Sequence, residues 1–180
     1  MGDGPQAIAS RMSLFDVPQE VLDARPAAAK DFDFLQGRWL IRHKKLAERL
    51  VGCQSWQEFE TPAANKLILG GLGNIDHCRV ESGEFFEGVS LRLFDKSSGL
   101  WRIYWTDTNG ATLFPPLEGS FSGPIGLFRG HDNHNGTPVL VEFRWDKTKP
   151  ETPTWQQSFS ADNGKTWEVN WYMSFSRLAA

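Results

Sequence analysis

The sequence predicts an all-β fold: an antiparallel, up-and-down barrel of about ten strands with a short N-terminal arm. Three observations carry this. Short alternating runs recur from Asp31 onward, each closed by Gly, Pro, Asn or Asp. Sustained helical periodicity is absent. Neighbouring runs are joined by hairpin signals, and a long meander removes its exposed edges by closing on itself.

The elements follow in order. Residues 1–30 form an arm distinct from the barrel domain, 31–180: they are rich in Ala, Pro, Gln and Asp and hold none of the eight Trp. Within the arm, residues 18–24 (PQEVLDA) suit a short helix with Pro in its first turn. Arg38–Leu46 alternates, with Trp39, Ile41, His43 and Lys45 on one face. Gln54–Glu60 is a strand closed by Thr61-Pro62. Lys66–Gly70 and Asn74–Glu81 follow, with Gly70, Gly71 and Gly73 marking a bend between them. Ser82-Gly83 is a turn. Phe86–Phe94 and Leu100–Asp107 flank a hairpin loop at residues 95–99, and Asn109-Gly110 signals the next turn. Ala111–Phe114 leads into Pro115-Pro116, which a central strand excludes. Glu118–Phe121, Ile125–Gly130, Val139–Trp145, Trp155–Ser160 and Trp167–Phe175 complete the barrel, with Asn133–Gly136 as a turn.

Composition narrows the function classes. The chain has 180 residues, 40% hydrophobic and 23% charged, which suits a packed domain that needs no metal or disulfide staple. A net charge of -3 gives no footprint for nucleic acid or anionic membrane. No apolar window is long enough to span a bilayer, and Met1–Ser10 lacks the pattern of a secretory leader. Cytoplasmic residence is therefore expected, with Cys53 and Cys78 as free thiols. P-loop and dinucleotide fingerprints are missing, and no cofactor is expected.

The stretch Asp31-Phe32-Asp33-Phe34-Leu35-Gln36-Gly37-Arg38-Trp39 resembles the opening of calycin-type barrels. In lipocalins and their relatives a 3₁₀ turn leads into Gly-x-Trp, and the Trp plugs the closed end. The ordered set of residues 69–74, 91–95, 101–105, 143–145 and 170–171 is also similar to a bacterial family of lipocalin-like proteins of unknown function. That resemblance covers roughly residues 31–177 and implies a barrel with a ligand cavity, not a reaction. Haem-binding relatives use a His near the C-terminus. This chain has no His after His134, which argues against haem.

Residues 160–167 resemble the Asp-box of sialidases, Ser-x-Asp-x-Gly-x-Thr-Trp. Its chemistry is that of a turn: carboxylate and amide side chains cap it, and Gly takes the positive φ. His131 and His134 have metal-ligand type, but no third ligand lies at a motif spacing, so a solvated turn and no metal are expected.

The candidate site is the lumen. Inward parity gathers Trp39, Trp105 and Trp171 as stacking surfaces, with His43, Asp107 and Gln157 to orient a ligand and Asn74 beside them. Trp167, Val169, Trp171, Met173 and Phe175 form one apolar stripe. Arg42, Lys44, Arg92, Arg102, Glu142 and Arg144 fall on the outer wall as cross-strand ion pairs; the reversed assignment would give a polar lumen suited to an anion. The leading function is binding of a small, largely apolar or aromatic molecule. An alternative is an enzyme of the cyclase, isomerase or hydratase type, with His43 and either Asp107 or Glu58 as its proton-transfer pair. A third is a protein-interaction module using the arm and outer face. Leu40, Leu46 and Leu140 on that face would serve a homodimer.

Overall fold

Local turn chemistry sets the order of the strands. In the computed structural model, which describes residues 17–80 and 85–179, ten antiparallel strands follow one another: β1 (Gly37–Leu46), β2 (Trp56–Ile68), β3 (Gly73–Val80), β4 (Phe86–Asp95), β5 (Leu100–Asp107), β6 (Leu117–Ser122), β7 (Ile125–His134), β8 (Thr137–Asp146), β9 (Thr154–Ser160) and β10 (Glu168–Arg177). Each pairs with its neighbours in sequence, and β1 pairs with β10 to close the barrel. The hairpins are built as their residues require. Asp95 accepts hydrogen bonds from the Ser97 amide (2.8 Å) and hydroxyl (2.6 Å), and Gly99 supplies a φ of 71°.

Two expected segments, Gln54–Glu60 and Lys66–Gly70, are one long strand, β2. The expected break at Thr61-Pro62 does not occur. Pro62 pairs with Leu40 on β1, while pairing with β3 begins only at Ala63, so it stands where β2 has a partner on one side. Strand β7 runs on to His134 rather than ending at Gly130. The turn Ser82-Gly83 and residues 1–16 of the arm lie outside the described residues.

One end of the barrel is sealed. Helix α1 (Gln19–Asp23) and two 3₁₀ turns, Ala27–Lys30 and Asp33–Leu35, lead the chain to that end. Arg25 fastens them: it donates to both Asp33 carboxylate oxygens (2.9 and 2.7 Å), to the Leu22 carbonyl (2.9 Å) and to the Gly71 carbonyl (3.0 Å). Phe32 enters the barrel and meets Trp101 and Phe121 edge-on, each with ring centroids 5.0 Å away, and Phe128 at 5.5 Å. Burying such a ring contributes about 1.5–3 kcal/mol, and each edge-to-face pair adds about 0.5–1.5. Trp39 lies beside this cluster, 1% exposed. Its indole N–H donates to the Leu35 carbonyl (2.7 Å), and the Arg177 guanidinium covers its face at 4.3 Å.

The outer wall carries cross-strand ion pairs where they were expected: Arg42 with Glu60 (2.7 Å), Arg129 with Glu142 (2.6 Å), and Arg102 with Glu118. Such exposed pairs contribute about 0–1 kcal/mol each. Leu46, expected on that face, is buried. No helix among the described residues is long and apolar enough to cross a membrane.

Candidate functional site

The inner wall has two levels. Below lies the sealed aromatic core. Above it, towards the end where β1 leaves and β2 enters, inward-facing residues remain half-buried although the barrel is closed: Lys45, Phe59, Trp105, Asp107, Trp171 and Met173. In a closed barrel such partial exposure means that solvent reaches the lumen from this end.

Between the levels sits a polar network that β2, β3 and β4 position. Asn65 Nδ2 and Arg92 Nη1 both donate to Asn74 Oδ1, at 3.1 and 3.0 Å, and Arg92 Nη1 pairs with Asp76 at 2.5 Å. The guanidinium also lies over Phe32 (5.3 Å) and Trp145 (5.6 Å). Arg92 is therefore inside the barrel, 4% exposed, and not on the outer wall. Strand β4 inverts the usual pattern: Gly88, Ser90 and Arg92 point inward, while Val89, Leu91 and Leu93 form a half-buried outer face. The ion pair with Asp76 and two aromatic faces offset the cost of removing the charge from water.

His43 faces the lumen, buried, as the alternation predicts. Its ring stacks on Phe59 with centroids 4.5 Å apart and 4° between planes. Trp171 Nε1 donates to its Nδ1 (3.2 Å), so Nε2 carries the proton and donates to Thr61 Oγ1 (2.8 Å). Burial first, and the Lys45 charge second, push the imidazole down to about 4. Both nitrogens are committed and the ring is neutral. It positions Trp171 and offers no free nitrogen for proton transfer.

The expected partners do not assemble. Glu58 pairs with Lys44 and points outward; it lines a groove of about 500 Å³ on the outer wall with Arg42, Arg144, Gln156 and Tyr172. The pair His43–Glu58 is excluded because adjacent residues of a strand pair share a face, and Glu58 has the wrong parity. Asp107 does lie inside, but Trp105 Nε1 (3.1 Å) and the Asn109 amide (3.0 Å) occupy its two oxygens. Trp39 is a plug whose N–H and ring face are both covered, so it has nothing left for a ligand to stack on.

Other expected residues are well placed. The outer edge of the Trp105 indole lies against Gly88, where an added Cβ would stand 2.2 Å from it. Trp171 meets Trp155 edge-on at 5.7 Å. Gln157 is buried and donates to Asn170 Oδ1 (2.8 Å). Asn74 is fully buried, and its Nδ2 has no partner among the described residues. The same holds for Asn170 Nδ2, Arg92 Nε and Arg49 Nε. These are donors without acceptors.

A bulge corrects the last strand. Between Val169 and Trp171 the register against β9 shifts, and Asn170 is fully buried. Trp171, Met173 and Phe175 stay on the inner face. Val169 now pairs with Ser158, while Trp167 is held over the turn, donating to the Gly164 carbonyl (3.2 Å) beneath the Arg129 guanidinium (5.7 Å). The expected five-residue stripe is thus three residues long. Glu168, paired with Phe159, gains the inward place.

Alternation in β1 placed Lys45 on the lumen face. Arg49 and Glu168 gave no such indication. Both Glu168 oxygens accept from the Leu50 amide (2.9 and 3.0 Å), so the β1–β2 loop folds back over the lumen. Arg49 then lies over Phe159 (5.5 Å) and Trp171 (6.0 Å), and the Lys45 ammonium sits 4.3 Å above the same Trp171 ring.

Metal chemistry finds no frame among the described residues, where no cluster of three His, Cys, Asp or Glu occurs. His131 is exposed and His134 half-buried, on opposite faces of β7, so they share no ion. The Asp-box is a turn: Asp162 accepts from the Ser160 hydroxyl (2.8 Å), the Lys165 and Thr166 amides (3.0 and 2.9 Å) and the Thr166 hydroxyl (2.6 Å). Both thiols are free, and burial pushes Cys78 up to about 12, leaving it inert.

The closed ten-stranded meander, plugged at one end by a Gly-x-Trp, defines a calycin-like barrel. No family model and no curated protein matches the chain. Among solved structures it is similar to the S-type phycobiliprotein lyase CPES from Guillardia theta: TM-score 0.55, 11% identity, 99% of each chain covered. At that identity the likeness is one of fold.

Proposed function

We propose that the barrel binds a small, largely aromatic molecule in the upper lumen, between Trp105 and Trp171. The observation that carries this is the half-buried inner wall above the core, where rings and unpartnered donors meet. Aromatic walls with a few convergent polar groups are what small-molecule sites are made of. Trp171 and Trp105 supply stacking faces, and Asn74 and Asn170 supply donors; Gln157 holds Asn170. The ordered motifs support kinship with the bacterial lipocalin-like family, and the two free thiols support a cytoplasmic protein. Residues 17–30 of the arm close the other end in this reading. The similar fold of a phycobiliprotein lyase keeps catalysis in the lumen as the second use of such a barrel, but His43 lacks the free nitrogen that it would need.

Native mass spectrometry of freshly purified protein, with titration by the neutral fluorophore N-phenyl-1-naphthylamine, tests the proposal. A co-purifying small molecule, or energy transfer from tryptophan to the probe that Trp171→Ala abolishes, supports it. An empty protein that takes up no probe overturns it.

A further inference from the structure

We infer that the ligand is an amphiphilic aromatic anion, its carboxylate clamped at the mouth of the lumen by Lys45 and Arg49 and its rings lying below against Trp171 and Trp105. This rests on the binding proposal above and names the ligand's class. Two cations share one indole: Lys45 Nζ stands 4.3 Å from the Trp171 ring and the Arg49 guanidinium 6.0 Å from it. Like charges held together away from water repel each other. The usual remedy is a carboxylate, and two lie near. Glu168 attracts Arg49 but turns both oxygens to the Leu50 amide and closes no ion pair with it. Asp107 spends its oxygens on Trp105 and the Asn109 amide. Neither Lys45 nor Arg49 forms an ion pair among the described residues, and Arg49 Nε is buried without an acceptor. Arg92, the other interior cation, is already paired with Asp76. Asp107 and Glu168 attract the two cations without closing an ion pair to either, so the cations that can still take a direct anionic contact lie at the mouth.

The geometry also sets the ligand's direction. Lys45 lies at the end of β1 and Arg49 in the loop that follows, so the charge is at the entrance, with aromatic walls deeper in. An amphiphile enters rings first and leaves its anionic end between the two cations. A charge-assisted contact from each would hold it.

Two probes of nearly the same shape test this. 8-Anilinonaphthalene-1-sulfonate carries an anion, and N-phenyl-1-naphthylamine is the same skeleton without it. Binding of each is followed by energy transfer from tryptophan in wild type, Lys45→Met, Arg49→Met and an outer-wall control, Lys44→Met. The expected result is a loss of roughly tenfold or more in sulfonate affinity for each lumen variant, with the neutral probe and the control changing less than about threefold.

The pH profile adds a second readout. The charged and titratable groups facing Lys45 are Arg49, Asp107 and His43, and Glu168 attracts Arg49 in turn. Burial and the Arg49 charge push the ammonium down to about 8, against the pull of Asp107. Sulfonate affinity should therefore fall as pH rises through about 8 in wild type and stay level in Lys45→Met. Equal losses for both probes, or an equal loss in the Lys44 control, would overturn the anion clamp while leaving lumen binding intact. Failure of wild type to bind either probe would overturn lumen binding itself.

Discussion

Acidification should destabilise the barrel through His43, and the size of the effect follows from the ring's surroundings. The imidazole is 4% exposed, stacked on Phe59, and must be neutral for Nδ1 to accept the Trp171 indole N–H. Protonation breaks that bond and places a second charge near Lys45. The folded ring titrates at about 4 instead of 6.5, so between those values the unfolded chain binds a proton that the folded chain refuses. Stability is therefore full above pH 6.5 and is lost as pH falls through the window to about 4. The slope is about 1.4 kcal/mol per pH unit inside the window, and the total is about 3 kcal/mol. Asp95, held down to about 2 by Ser97, loses its contribution only at lower pH and does not blur the window. Urea unfolding followed by tryptophan fluorescence from pH 7.5 to 4.5 measures the slope. His43→Gln, which can accept from Trp171 and donate to Thr61 without titrating, should be nearly flat across the same range. A His43→Gln slope as steep as wild type's would refute the assignment, and so would a wild type equally stable at both ends.

Three further predictions rest on single residues. Gly88→Val places a Cβ 2.2 Å from the Trp105 ring, so the indole must leave its seat and its bond to Asp107; a cost of about 1–3 kcal/mol, a changed near-ultraviolet circular dichroism spectrum and weaker uptake of the neutral probe are expected. Asp162→Ala removes the acceptor of four hydrogen bonds in the β9–β10 turn and should lower the melting temperature by several degrees while leaving probe binding unchanged; lost binding at constant stability would contradict the turn role. Lys45→Met removes an ammonium whose folded value, about 8, lies below its ordinary 10.5, so at pH 7 its charge opposes folding. Allowing for its partial exposure, calorimetry should show a melting temperature raised by roughly 2–4 °C.

The strands were legible because their signals are local. Asp95 and Gly99 make their hairpin from neighbours in sequence, and so does the turn at residues 160–167. The plugged end was legible in Gly37-Arg38-Trp39 for the same reason. Face assignment failed where alternation alone does not decide it. In β4, Val89, Leu91 and Leu93 alternate as well as an inner face would, and only Asp76 and Asn74 on the next strand reveal that Arg92 is the inward set. In β10, one bulged residue, Asn170, reverses the parity of everything before it. A polar side chain inside the run Val169–Phe175 was the available sign.

Lys45, Arg49 and Glu168 show why the mouth of the lumen was the least legible part. Glu168 meets Leu50 across 118 residues, and no pattern in either segment announces that contact. Yet the three share one property: each is a charged group on the inside of a barrel whose other end is filled with rings. Lys45 keeps its place against burial and against a like charge, so the fold carries a cost there that the aromatic core does not offset locally. Sequences that specify a structure tend to break their own rules where a site is needed. Two cations over one indole, neither in an ion pair among the described residues, are such a break. Asn170 stands beside Trp171 at the level of Lys45, and Asn74 lies deeper, in the network above the core, so a ligand that neutralises the mouth has groups without acceptors both beside it and below it.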